Sequence, residues 1–316
     1  MALTVSEANA VTKQGIENVL IETAYDSHPF FYKLKKERLV TQKGGTDIRW
    51  QIRYDKLGKA NAVDPDAQRM RSKKATRTQA VEEWKYYLVD GFVSWKERQQ
   101  NEAKFQTVKL VGDKYKEMKE DFQDRLATDL YTDNPNGMGI TTLGTMVDSS
   151  TTYAGIAVAD AANWASSEDS STTRLEFYGG TTSLDAMINA STWGKQMPTI
   201  GLTTKTIYGY IRGYMTGKMI AMSNKEMVDA GFKNVQFEGM TIFPDQNCTA
   251  NHFYGLNLKQ FELRVDPKYN FKTTEWKELE SEGYVNSIGK DMSWTGNLLL
   301  KHRKSNFKFT ALTVVS

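Results

Sequence analysis

The chain has 316 residues, 40% of them hydrophobic and 25% charged, which is the make-up of an ordinary globular protein with two lobes and excludes disordered and fibrous classes. Its 41 basic and 38 acidic residues leave a net charge of only +3, too balanced for a protein that grips DNA through many phosphates. No run approaches eighteen apolar residues and Met1–Glu7 has no basic start before an apolar stretch, so neither a membrane span nor a secretory signal is expected.

Residues 1–34 read as a helical or irregular arm. It ends at His28-Pro29-Phe30-Phe31-Tyr32, whose adjacent aromatics are costly to leave wet and so anchor the arm on a core. Residues 35–93 read as a long hairpin. In its first arm Ile48, Trp50, Ile52 and Tyr54 alternate with Asp47, Arg49, Gln51 and Arg53, the period-two signal of a half-exposed antiparallel strand. The return arm, about Thr78–Val89, keeps Ala80, Trp84, Tyr86 and Leu88 in step. Between the arms lie Lys56, Lys59, Arg69, Arg71, Lys73, Lys74 and Arg77, against Asp64 and Asp66. A ribbon of this length is marginal in water unless it lies on something. A solvated loop, a contact to an acidic surface on another subunit, and a nucleic-acid contact all remain open for it. The candidate inter-subunit residues are Arg49, Trp50, Arg53 and those seven basic side chains.

Ser94-Trp95-Lys96-Glu97 has the form of a capping box, and Val108, Val111, Tyr115, Met118, Phe122, Leu126 and Leu130 continue one apolar stripe. A single helix from Ser94 to Tyr131 is expected, stopped by Asp133-Asn134-Pro135-Asn136-Gly137. Residues 138–180 turn rich in Ser, Thr, Ala and Gly and read as a loop-rich crossing into a second lobe. That lobe shows a helix capped by Thr182 or Ser183, a buried strand over Pro198–Leu202, and a helix through Tyr208, Ile211 and Met215. A strand pair follows at Val235–Gly239 with Met240–Phe243, and Phe253–Asn257 and Phe261–Val265 read as two more strands. A terminal antiparallel pair, Leu298–Arg303 with Phe307–Leu312, is joined across Lys304-Ser305-Asn306.

Motifs for chemistry are missing. Gly213-Tyr214-Met215-Thr216-Gly217-Lys218-Met219 has the wrong spacing for a phosphate loop and no hydroxyl after Lys218. His28, His252 and His302 are scattered, without metal-ligand spacing. There is no Gly-x-Ser-x-Gly elbow, and Glu82 and Glu83 are neighbours on a strand, hence on opposite faces. Cys248, the one cysteine, allows no intrachain disulfide and reads as a buried structural thiol suited to a reducing cytosol. The sequons at Asn189 and Asn247 are then coincidental. No enzyme activity, metal or cofactor is expected.

The order of parts, with Val235-Gln236-Phe237-Glu238-Gly239-Met240-Thr241-Ile242-Phe243-Pro244-Asp245 after Gly231-Phe232 and then Phe253-Tyr254-Gly255-Leu256-Asn257, resembles the major capsid proteins of tailed bacteriophages, the Hong Kong 97 fold. Thr152-Tyr153-Ala154-Gly155-Ile156 with Asn163-Trp164 is a further similar stretch, although relatives often carry Gly where Ala154 stands. The resemblance implies an α+β fold with an N-terminal arm (1–34), an extended hairpin loop (35–93) lying across an adjacent subunit, a peripheral domain (94–139 and 258–316) with a spine helix, and an axial domain (140–257). It implies many copies in pentamers and hexamers, an icosahedral head shell in the virion assembled in the host bacterial cytoplasm, a portal, a possible decoration protein, and packaged double-stranded DNA touched weakly and non-specifically. Only about forty residues precede the hairpin, so scaffolding is expected from a separate protein. Some relatives join subunits through a lysine–asparagine bond, but no motif selects among Lys56, Lys59, Lys73 and Lys74. The alternatives are an encapsulin-like nanocompartment shell and a nucleic-acid-binding protein using the Lys56–Arg77 loop.

Overall fold

A computed structural model describes residues 25, 26, 28–53, 55, 74–100, 104–134, 136–161, 163–217, 223, 225–229, 231–280 and 283–313. Helix α1 (Pro29–Arg38) starts with Pro29 in its first turn, and the His28 ring accepts a hydrogen bond from the Phe30 amide at 3.3 Å as its cap. Then come β1 (Leu39–Thr41), β2 (Asp47–Arg53), β3 (Arg77–Glu83), β4 (Lys85–Val93), α2 (Trp95–Gln100), α3 (Lys104–Asp129) and α4 (Leu143–Met146). The next stretch holds β5 (Ser167–Asp169), α5 (Leu184–Ser191), β6 (Ile200–Thr204), α6 (Lys205–Gly217), α7 (Lys225–Asp229), β7 (Val235–Phe237), β8 (Met240–Asp245) and β9 (Phe253–Leu256). Last are β10 (Phe261–Val265), β11 (Lys272–Thr273), β12 (Lys277–Glu278), β13 (Ile288–Leu300) and β14 (Phe307–Phe309). The chain is α+β and divides into two units: residues 1–45, 84–142 and 262–299, and residues 46–83, 143–261 and 300–316.

The first unit is built on a six-stranded sheet in which β13 is the hub. It pairs with β10, β11 and β12, and antiparallel to β4 from Ile288↔Val93 to Gly296↔Lys85, while β1 runs parallel to β10. Helix α3 lies on one face. Its stripe Val111, Tyr115, Met118, Phe122, Leu126 and Leu130 is buried, as the three-and-four spacing requires. Phe122 meets Tyr87, Trp294 and Phe271 at 5.8, 5.7 and 4.8 Å between ring centroids. The capping box forms: the Glu97 amide donates to Ser94 Oγ at 3.3 Å, and the Ser94 amide donates to Glu97 Oε2 at 2.9 Å. The expected helix is described over α2 and α3, with residues 101–103 between them outside the described part; α3 alone, 26 residues long, spans about 39 Å.

The second unit holds a six-stranded mixed sheet in the order β5-β14-β9-β6-β8-β7. Helices α5 and α6 contribute Leu184, Met187, Ile188, Ile207, Ile211 and Met215 to a core shared with Val235, Phe237, Ile242, Phe253, Phe307 and Phe309. Ser183 caps α5, accepting from the Ala186 amide at 3.2 Å. The two-stranded ribbon β2–β3, in register from Asp47↔Glu83 to Arg53↔Arg77, belongs to this unit.

Two expectations are corrected. Leu298–Arg303 and Phe307–Leu312 do not form a hairpin. The segment Arg303–Ser305 is a 3-10 turn, and Asn306 ties it towards β9, accepting from the Asn257 amide at 2.7 Å and donating to the His302 carbonyl at 3.0 Å. Strand β14 therefore pairs with β9 and β5, so residues 300–316 belong with the second unit and not with a peripheral 258–316 segment. The return arm also is not one strand: β3 and β4 join different sheets, with Trp84 between them, and the buried side switches phase there. Tyr86 and Leu88, expected in step with Ala80 and Trp84, are 71% and 69% exposed.

Candidate inter-subunit surface

The ribbon has two unlike faces. Ile48, Trp50, Ile52 and Ala80 are buried, with Trp50 directly opposite Ala80 and its ring 6.4 Å from Tyr153. The Val81 amide donates to the Ala154 carbonyl at 3.1 Å. That carbonyl belongs to a tight turn in which Ala154 and Gly155 take φ values of 52° and 75°. The base of the ribbon thus rests on its own unit. Trp50, assigned to a neighbour from its alternation, fills an intrachain pocket, because period two reports which face is apolar and not whose core it enters.

The other face is charged and wet. Arg49, Arg53, Lys74 and Arg77 are exposed; Arg49 pairs with Asp47 at 3.0 Å and Lys74 with Asp55 at 2.7 Å. Arg53 Nε donates to the Asp55 carbonyl at 3.1 Å and stands directly across the ladder from Arg77, like charge facing like. Lys56, Lys59, Arg69, Arg71 and Lys73 lie outside the described residues, as do Tyr54 and the arm over residues 1–24.

The first unit carries a second exposed face that periodicity alone did not reveal. Odd positions of β4 turn to α3: a side chain at Gly91 would come within 2.5 Å of Met118 Sδ, and Tyr87 donates to Asp129 Oδ2 at 2.7 Å. Burial first, and then that carboxylate, push the Tyr87 hydroxyl well above the usual phenol range. Even positions turn to solvent: Tyr86 opposite Thr295, Leu88 opposite Ser293, Asp90 opposite Asp291, and Phe92 opposite Gly289. Tyr269 extends the apolar strip beside Tyr86 and Leu88, and a groove of about 460 Å³ lined by Asp90, Phe92, Lys277, Tyr284 and Asp291 adjoins it.

The strongest polar cluster of the second unit is internal. The Arg303 guanidinium, fully buried, donates to the carbonyls of Met146, Thr151, Asp148 and Thr145 at 2.8, 2.8, 2.9 and 3.2 Å and so fixes the 145–151 loop. Lys308 Nζ lies 2.7 Å from Asp148 Oδ2 and 3.3 Å from Glu168 Oε1. Every donor of this cluster is aimed at protein, which suits a clamp better than a reacting centre. Burial pushes the Cys248 thiol well above its ordinary value, opposite to what a nucleophile needs. Among the described residues there is no group of three His, Cys, Asp or Glu able to hold a metal, and no helix long and apolar enough to cross a membrane.

No family model and no curated protein matches the chain. Solved structures do. The capsid of cyanophage A-1(L) aligns over 87% of this chain and 90% of its own at 17% identity, with a TM-score of 0.61. The capsid of a native GTA particle aligns over 92% and 91% at 9% identity, with a TM-score of 0.57. The SrpI encapsulin of Synechococcus elongatus aligns over 92% and 89% at 9% identity, with a TM-score of 0.52. Ribbon, long helix on the hub sheet and mixed second sheet together give this chain the fold of tailed-phage major capsid proteins, the Hong Kong 97 fold.

Proposed function

We propose that the chain is a major capsid protein, many copies of which assemble into the icosahedral head shell of a tailed bacteriophage around double-stranded DNA. The observation that carries this reading is the near end-to-end match, in both directions, to subunits of phage capsids. The surface agrees with it: the described side chains that look outward in force are a charged ribbon and an apolar sheet face, contacts for neighbours and not for a small substrate. The work of the protein is then structural, its place is the virion, and its main partners are its own copies in pentamers and hexamers. Scaffolding, a portal and, in shells that use one, a decoration protein complete the particle, and DNA is touched weakly, in keeping with a net charge of +3.

The likeness to an encapsulin favours a second reading, a nanocompartment shell enclosing a cargo enzyme. Negative-stain microscopy of the purified protein tests the shell itself: uniform closed particles tens of nanometres across are expected, and a strictly monomeric chain overturns both readings. Particles purified from their native source separate the two, since nuclease-protected DNA supports the phage head and a co-purifying enzyme the compartment. A nucleic-acid-binding role would require Lys73→Ala, Lys74→Ala and Arg77→Ala together to abolish DNA retention while leaving assembly intact.

A further inference from the structure

The ribbon β2–β3 is a sheet of two strands, a form that is marginal in water without support. Two contacts on adjacent rungs supply support, and both come from one tight turn of the same unit. At the Arg49↔Val81 rung the Val81 amide donates to the Ala154 carbonyl at 3.1 Å. At the Trp50↔Ala80 rung the Trp50 ring meets the Tyr153 ring at 6.4 Å between centroids. A backbone amide points along the plane of a ribbon and a side chain points out of it. The two contacts together therefore fix both the direction of the ribbon and its roll. The turn itself is strained. Tyr153 and Ile156 exchange main-chain hydrogen bonds at 3.2 and 3.0 Å across Ala154 and Gly155, and Ala154, at φ 52°, sits in the left-handed region that costs a residue with a side chain about 1–2 kcal/mol.

We infer that the stretch Leu300–Arg303 holds this turn, with Arg303 as the positioning residue, so that the subunit sets the angle of its own ribbon before it meets any partner. The hold has two parts. The buried guanidinium makes five hydrogen bonds to the segment that leads into Tyr153: to the carbonyls of Thr145, Met146, Asp148 and Thr151 and to Thr151 Oγ1. Only a planar fork of several donors serves so many converging acceptors at once, and these bonds offset the desolvation of a buried cation. Its central carbon also lies 5.7 Å from the Tyr153 ring and 5.9 Å from that of Trp164, and the two rings stack on each other at 6.1 Å. Three residues earlier, the Leu300 amide donates to Tyr153 Oη at 2.8 Å. One short stretch thus grips the backbone before the turn and both ends of the tyrosine that opens it. The inference stands on contacts within one unit and does not need the shell reading. On that reading its use is that a ribbon already aimed loses less freedom when it meets a neighbour.

Amide exchange in dissociated full-length subunits reads the seat directly. In the wild type the Val81 amide is expected to exchange about a hundredfold more slowly than an open amide. Arg303→Lys keeps the charge and removes the fork. Gly155→Val places a side chain that meets nothing within 4 Å, and so stresses only the backbone of the turn. Each is expected to lower the protection of Val81 about tenfold while leaving Leu202 in β6 and Tyr254 in β9 as protected as before. Open exchange at Val81 in the wild type overturns the inference, and so does wild-type protection in either variant. An equal loss at Leu202 and Tyr254 overturns it too, since Arg303 would then support the whole unit and not the seat. Should Arg303→Lys fail to fold, Tyr153→Phe, which removes only the Leu300 bond, takes its place with the same outcomes. These measurements concern separate subunits: their failure leaves the shell reading standing, and a chain that never forms particles leaves the seat standing.

Discussion

Arg303 and Lys308 sit in a stretch, Lys301 to Lys308, that looks like surface sequence, yet Arg303 is fully buried and Lys308 only 5% exposed. No spacing announces this, since a basic residue enters a core only when its partners, here the carbonyls and carboxylates of residues 145–168, are brought there by the rest of the fold. Asp148 is the acidic counterpart. Burial alone would raise its carboxyl, but the hydrogen bond from Lys308 and the amides of Ser150 and Thr151 hold it well below the ordinary carboxylate range. A group depressed in this way stabilises the fold fully above its unfolded value, near about 3.9, and less and less as pH falls through the folded one. Asp148→Asn is therefore expected to cost about 2 kcal/mol at pH 7, a deficit that shrinks below about pH 4. Urea midpoints of dissociated subunits from pH 7 to 3 check this; a deficit that stayed constant with pH would refute it.

Elements were more legible than their destinations. The alternation around Trp50, the capping box at Ser94 and Glu97, and the stripe from Val111 to Leu130 gave the ribbon and the helix because each pattern is a local consequence of backbone geometry. Which sheet a strand joins is decided by distant residues, and there the reading failed, at Trp84, where β3 gives way to β4, and at Asn306, which turns β14 towards β9. Gly255 shows the same dependence. It was noted only as part of a resemblance, and the structure supplies the cause, since a side chain at this position would run into the Phe307 ring. Gly255→Ala is expected to destabilise by about 1–3 kcal/mol, with Phe307→Leu in the same chain recovering part of the loss. Thermal melts of the two variants test it, and additive losses would count against the contact. The exposed face on β4 was not legible, because Tyr86 and Leu88 look like core positions until the phase switch is known.

At the level of the molecule, the charged loop and the body it springs from answer to different demands. Removing residues 56–73 and closing the gap with a short Gly-Ser bridge is expected not to destabilise isolated subunits, because a shorter loop costs less entropy to close, while particle yield drops. Unchanged assembly would mean that this loop bonds nothing outside its own subunit. The order of strands in the second sheet carries one more implication. Strand β14 lies between β5 and β9, yet a ribosome makes it after every other strand of that sheet. Nascent chains and nonsense fragments that stop before Phe307 leave two raw edges where the insert belongs. On the proposed shell role, they cannot present a finished wall block, and a lattice growing nearby is spared defective bricks.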